Sequence, residues 1–322
     1  MKPSLIVLVA LNDSQRQRLD ALFEVHSGKQ LCDIPSEQLS VAQGLLAHGG
    51  LTLGEEQLAQ LPQLKAISTI SVGYDSYDIE ALSRAGVTLS HTPGVLDETV
   101  ADSVFALMLS CARRIVELAD WVRDGQWQGS LPKSYYGCDV HHKTIGIVGM
   151  GRIGMAVARR AHYGFGMSVL YHNRHSKPMA EQQFAARLVD LDELLQTADF
   201  VVLLTPLTTQ TFHLIAAAQL AMMKPSAILV NVARGDVIDE AALIEALQQK
   251  TIAGAGLDVF HQEPLANDSA LLKLPQVVAL PHIGSATTQT RAAMSELAVT
   301  NMIEALTLRQ LNHCVNPHAW HR

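Results

Sequence analysis

Residues 144–154, Thr-Ile-Gly-Ile-Val-Gly-Met-Gly-Arg-Ile-Gly, constrain the fold more than any other stretch of this chain. An apolar run leads into Gly149-x-Gly151-x-x-Gly154 and then into a helical segment, 152–164. A glycine triplet alone is weak, but directly after a strand and opening a helix it marks the first turn of a dinucleotide-binding fold. The glycines permit a tight turn and close backbone approach, with Arg152 and Ile153 between them. The helix N-terminus then offers N–H groups and a positive dipole end to a pyrophosphate. Further apolar runs at 168–174, 199–206, 227–232, 252–259 and 277–281 alternate with helical segments such as 190–198 and 239–250. That is the content of an open, doubly wound parallel sheet.

Residues 1–99 show the same alternation on a smaller scale, with apolar runs at 5–11, 65–72 and 87–93 and helical patterns at 14–23, 55–64 and 78–86. The first run passes into Asn12-Asp13-Ser14 without a glycine-rich loop, so this lobe has no obvious phosphate cradle. A chain of 322 residues favours two cores over one. The closing helix, from about Thr287 to Arg309, is long enough to leave the second lobe and return to the first. The expectation is therefore α/β, two Rossmann-like doubly wound parallel-sheet domains. A discontinuous substrate-binding domain (1–99 plus 288–322) would enclose a nucleotide-binding domain at 100–287.

One long helix is predicted from Asp97 to about Gly125. Val100, Val104, Leu107, Met108, Cys111, Ile115, Leu118 and Val122 form one apolar stripe. Phe105, Leu109, Ala112, Val116 and Ala119 form another beside it. A surface that wide implies burial on two sides, against the sheet and against a second lobe or subunit.

With 48% apolar and 17% charged residues the chain reads as an ordinary soluble globular protein. A net charge of −7 argues against nucleic acid or an anionic membrane as partner. No apolar stretch approaches the ~20 residues of a membrane span. The first apolar run is short and lacks a small-residue cleavage site, so it reads as a strand rather than a signal peptide. Cys32, Cys111, Cys138 and Cys314 are scattered and form no metal-ligand pattern, so no metal is expected, and a reducing cytoplasmic setting fits them.

The position about 20 residues beyond the glycine loop usually carries a carboxylate for the NAD ribose 2′-OH. Here it is Asn173, followed by Arg174. An acid would repel a 2′-phosphate, whereas an arginine can pair with one bidentately. NADPH is therefore expected to be preferred, with NADH possible.

Three polar residues fall just past the last three apolar runs: Arg234, Glu263 and His282. Ligands of open parallel sheets bind outside the carboxyl ends of the strands, so these residues should converge. An arginine fork suits a carboxylate, a histidine exchanges a proton near neutrality, and a neighbouring carboxylate orients the ring and stabilises the imidazolium. Together they fit hydride transfer to a 2-keto acid, with Arg234 as anchor, His282 as proton donor and Glu263 as its support. Asp258, at a strand end, is a rival carboxylate that could hydrogen-bond the nicotinamide amide.

The blocks 231–239 (NVARGDVID), 256–264 (GLDVFHQEP) and 281–287 (PHIGSAT) resemble the signatures of the D-2-hydroxyacid dehydrogenase family, as do 71–75 and 92–102. Within it, segments 141–154 and 314–318 are similar to the bacterial glyoxylate/hydroxypyruvate reductases, also described as 2-ketogluconate reductases. The resemblance implies a catalytic triad of Arg234, Glu263 and His282, with Asp258 on the nicotinamide side. It implies that the amides of Val72 and Gly73 share the substrate carboxylate with Arg234. Thr205 and Pro206 would line the adenosine side and Val232 the nicotinamide side. It also implies a homodimer built on the nucleotide-binding domains and an aromatic near the active site at Tyr135-Tyr136. Two rival readings are a D-lactate-type dehydrogenase using NADH and a nucleotide-sensing corepressor on the same fold.

Overall fold

The computed structural model describes residues 2–321, which form two compact units, 2–96 with 287–321 and 97–286. In the first unit, β1 (Ser4–Val7), β2 (Glu24–Ser27), β3 (Ala42–His48), β4 (Ala66–Ile70) and β5 (Thr88–Ser90) form a parallel sheet in the order β2-β1-β3-β4-β5. This is a doubly wound order whose strand ends gather loops at one edge. One sheet face packs Leu5, Val7 and Leu46 against Ala298, Val299 and Met302 of the helix Thr288–Ile303. Gly44 makes that approach possible: a Cβ there would lie 2.7 Å from Leu306 Cδ1 and 2.9 Å from Met302 Sδ. The tail after this helix is pinned to β5, where buried Asn316 accepts from Leu89 N and donates to the Val87 carbonyl.

The second unit contains β6 (Thr144–Val148), β7 (Ser168–His172), β8 (Arg187–Leu188), β9 (Phe200–Leu203), β10 (Ile228–Asn231), β11 (Gly254–Leu257) and β12 (Val277–Ala279). All pairings are parallel and the order is β12-β11-β10-β9-β6-β7-β8. The chain direction across the sheet reverses between β6 and β9, the topological switch point where such sheets bind dinucleotides. Strands β6, β9 and β10 are apolar without alternation because helices cover both faces. On β11 the small residues have a specific use. A Cβ at Gly256 would lie 2.9 Å from Leu107 Cβ, so glycine lets the helix Asp97–Ala112 rest directly on the sheet.

The expected single helix from Asp97 to Gly125 is corrected to two, Asp97–Ala112 and Ile115–Arg123. Between them Arg114 adopts a left-handed backbone, φ 53°. The cause lies elsewhere in the chain. Cys138 N donates to the Ala112 carbonyl at 2.8 Å, taking the acceptor that the next helical turn needs. Gly137 allows the crossing, since a Cβ there would sit 2.1 Å from Ala112 O. The second helix buries none of its residues, and Ile115, Val116 and Val122 are about half exposed. Only the first helix is therefore the buried element that the stripes predicted. Strands β2, β3 and β8 were not foreseen. No helix among the described residues is long and apolar enough to cross a membrane.

Candidate active site

Strands β10, β11 and β12 are neighbours in the sheet, and each releases one of the expected residues at its carboxyl end. After β10, buried Asn231 shapes the turn: its Oδ1 accepts from Ala233 N at 3.0 Å and its Nδ2 donates to the Arg234 carbonyl at 2.8 Å. Arg234 is half-buried, with one guanidinium N–H on the Ala233 carbonyl at 2.7 Å. Gly235 then passes against the loop after β11, where a Cβ would meet Phe260 C at 1.9 Å. No other residue fits there.

Glu263 is held by both oxygens. Phe260 N donates to Oε1 at 3.1 Å, and His282 Nδ1 lies 2.7 Å from Oε2. An ionised carboxylate only accepts, so Nδ1 carries a hydrogen and Nε2 is the nitrogen left to exchange a proton. The His282 side chain is 49% exposed, consistent with a group that must meet a ligand. Its backbone is left-handed, φ 53°, a conformation uncommon outside glycine. The structure thus joins Glu263 to His282 directly and brings in Arg234 through the Gly235–Phe260 contact.

Asp258 is 1% exposed, and its carboxylate accepts from Ile283 N at 2.7 Å and Gly284 N at 2.8 Å. It therefore ties the end of β11 to the turn that carries His282, with lone pairs to spare on each oxygen. Burial pushes its pKa up, against the lowering effect of the two amides and of His282.

The sequence reading missed a second fastening of the same loops. His261 Nδ1 lies 2.5 Å from Asp236 Oδ1, and His261 N donates to Glu240 Oε2 at 3.2 Å. The hydrogen bond to Asp236 and its charge raise the His261 pKa. Only a histidine two residues before Glu263 and an acid two after Arg234 hint at this in the sequence.

At the switch point, Gly149 has φ 105° and lies against the end of β9, where a Cβ would be 2.9 Å from Leu204 C and 3.0 Å from Thr205 N. Gly154 packs on the turn itself, its absent Cβ 2.5 Å from Gly149 O. Gly151 differs from both, since a Cβ there would meet nothing within 4 Å. It is the N-cap of the helix Arg152–Arg159, which has no side-chain cap. Open space before an uncapped helix N-terminus is what a pyrophosphate requires, so these residues fit a dinucleotide. Arg152 is exposed and Ile153 half-buried on this turn. Past β7, Asn173 Nδ2 donates to the His175 carbonyl at 2.8 Å, and Arg174 is exposed with no ion pair among the described residues. Thr205 and Pro206 follow β9, where the Thr211 hydroxyl donates to the Pro206 carbonyl at 2.6 Å. Val232 follows β10, half-buried.

In the first unit Val72 and Gly73 follow β4 in a half-buried loop. Gly49 packs beside it, a Cβ there being 2.4 Å from Ser71 Oγ. Tyr135 sits against Trp121 and under the Arg114 guanidinium, whereas Tyr136 is 61% exposed.

The family model for the D-isomer specific 2-hydroxyacid dehydrogenase NAD-binding domain matches residues 105–284. The chain belongs to that family. It is an NAD(P)-dependent oxidoreductase on the family's two-sheet α/β fold. A relative from Serratia proteamaculans (strain 568), named glyoxylate/hydroxypyruvate reductase B, is 54% identical over 321 residues, 98% of each chain. Among solved structures, the TT0316 protein from Thermus thermophilus is 42% identical with a TM-score of 0.87, over 97% of this chain and 99% of that one. An NADPH-dependent glyoxylate/hydroxypyruvate reductase from Sinorhizobium meliloti, in complex with NADP and malonate, has a TM-score of 0.89 at 32% identity, over 100% and 99%.

Proposed function

We propose that this enzyme reduces small 2-keto acids, hydroxypyruvate and glyoxylate with 2-ketogluconate as a larger candidate, to D-2-hydroxy acids, with NADPH preferred over NADH. The observation that carries the reading is the His282–Glu263 pair at 2.7 Å, on a strand end two places from the one that releases Arg234. A proton relay beside a carboxylate anchor is what reduction of a 2-keto acid needs, and the name of the Serratia relative supports the substrate class.

In this reading the substrate carboxylate accepts from the Arg234 guanidinium and from the amides of Val72 and Gly73. Arg234 also polarises the keto oxygen. His282 Nε2 donates a proton to that oxygen as negative charge develops on it. Glu263, itself fixed by Phe260 N, keeps the ring oriented and stabilises the imidazolium before transfer. Gly149, Gly151, Arg152, Ile153 and Gly154 would hold the pyrophosphate, Thr205 and Pro206 the adenosine side, and Val232 and Asp258 the nicotinamide side. When bound, the nicotinamide supplies the hydride. Asn173 and Arg174 would receive the 2′-phosphate of NADPH, and the NADPH-dependent Sinorhizobium neighbour supports the choice of cofactor. The reading includes a homodimer, for which the exposed Ile115, Val116 and Val122 supply apolar surface. A panel of 2-keto acids assayed with each cofactor tests the assignment. Highest kcat/KM with hydroxypyruvate or glyoxylate and NADPH is expected, and a preference for pyruvate with NADH would overturn it.

A further inference from the structure

His91 stands one residue past β5, and its ring reaches the loop that follows β4. Its Nδ1 lies 3.0 Å from the Val72 carbonyl oxygen. A carbonyl cannot donate, so this nitrogen carries the hydrogen in the neutral ring and in the imidazolium alike. The Val72–Gly73 peptide is trans, since Glu263–Pro264 is the only cis bond among the described residues. In a planar trans peptide the C=O and N–H point in opposite directions. A donor holding the Val72 carbonyl from one side therefore aims the Gly73 N–H toward the other. It also polarises that peptide and makes its N–H a stronger donor.

His91 is itself held firmly enough to impose a direction. Its N–H donates to the His313 carbonyl at 3.2 Å, and its carbonyl accepts from Asn301 Nδ2 at 3.0 Å. Asn301 is 2% exposed, and its own Oδ1 lies 3.2 Å from His313 Nδ1. Next along the chain, Thr92 N donates to the Ser71 carbonyl at 2.9 Å, so the β4 and β5 loops are joined by backbone as well. The ring meets Tyr74 edge-on, with centroids 5.5 Å apart and planes at 85°.

We propose that His91 is a positioning residue that sets the direction and strength of the Gly73 N–H as a donor to the substrate carboxylate. This rests on the reading that the amides of Val72 and Gly73 receive that carboxylate. His91→Leu and His91→Asn are close in volume, and only Asn can donate to Val72. In steady-state assays with hydroxypyruvate and NADPH, His91→Leu should raise the hydroxypyruvate KM about tenfold, the effect of one misaligned hydrogen bond to a charged group. Its kcat and its KM for NADPH should stay within about threefold of the parent enzyme. His91→Asn should recover most of the hydroxypyruvate KM. Equal hydroxypyruvate KM values in the two variants overturn the proposal. If thermal melting shows His91→Leu unfolded, His91→Phe, which keeps an aromatic ring against Tyr74, takes its place in the same comparison. Arg234→Ala measured alongside separates the two levels. If it too leaves KM unchanged, the carboxylate reading fails. If it raises KM while the His91 variants match each other, only the role of His91 fails.

Discussion

His261 Nδ1 and Asp236 Oδ1 lie 2.5 Å apart, so the loop bearing Glu263 is fastened to the loop bearing Arg234 by an ion pair as well as by the Gly235–Phe260 backbone contact. The pairing favours the protonated ring. Unfolded, a histidine titrates near 6.5; folded, the hydrogen bond to Asp236 raises that value. Its stabilising contribution is therefore complete below about pH 6.5 and fades as pH rises through the folded value.

An NMR titration of the histidine rings checks this. The His261 signals should move at a higher pH in the parent enzyme than in Asp236→Asn, where the midpoint should fall back toward about 6.5. Coincident midpoints would mean that the pair does not form in solution.

For the proton relay, His282→Ala should lower kcat by roughly 10²–10⁴, the usual contribution of a general acid. Glu263→Gln, which keeps shape but loses charge, should lower it less. Arg234→Ala should raise the keto-acid KM steeply as well as lower kcat. Near-parental turnover in His282→Ala would remove it from the chemistry.

The two ends of the glycine loop should separate stability from binding. Gly154→Ala places a Cβ 2.5 Å from Gly149 O, so it should destabilise the fold by about 1–3 kcal/mol, as overpacking does. Gly151→Ala meets nothing within 4 Å and should lower the melting temperature less than Gly154→Ala, by no more than an alanine N-cap costs, while weakening cofactor binding. Calorimetric melting and cofactor titration of both variants read the contrast. Unweakened binding in Gly151→Ala would move the pyrophosphate elsewhere.

Cofactor choice turns on the end of β7. A charge-assisted pair from Arg174 to a 2′-phosphate contributes about 1.5–3 kcal/mol, or roughly ten- to a hundredfold in kcat/KM for NADPH over NADH. Arg174→Ala should remove most of that gap, and adding Asn173→Asp should invert it. A parent enzyme that prefers NADH would refute the placement.

Light scattering at micromolar concentration should give the mass of a dimer. Val116→Asp, on the exposed helix Ile115–Arg123, should shift that mass toward the monomer. A monomeric parent with full activity would count against the homodimer.

The strand ends that carry Arg234, Glu263 and His282 were legible because β10 and β12 are short apolar runs closed by polar residues. The switch-point loop was legible because its glycine triplet follows an apolar run and opens a helix. Local sequence could not show the break at Arg114, because Gly137 and Cys138, far along the chain, take the Ala112 carbonyl. Strand β2, Glu24-Val-His-Ser, is an edge with exposed ends and no apolar signature. In β3 the glycine that admits the returning helix also interrupts the pattern. The Asp236–His261 link joins residues 25 apart, neither of which is unusual alone.

The left-handed backbone of His282 decides how an inert form of this enzyme should be built. That geometry costs an ordinary residue about 1 kcal/mol or more, while asparagine visits it readily. An inert form made to trap a bound keto acid is thus better built as His282→Asn than as His282→Ala. The His282→Asn protein should then melt at a higher temperature than His282→Ala.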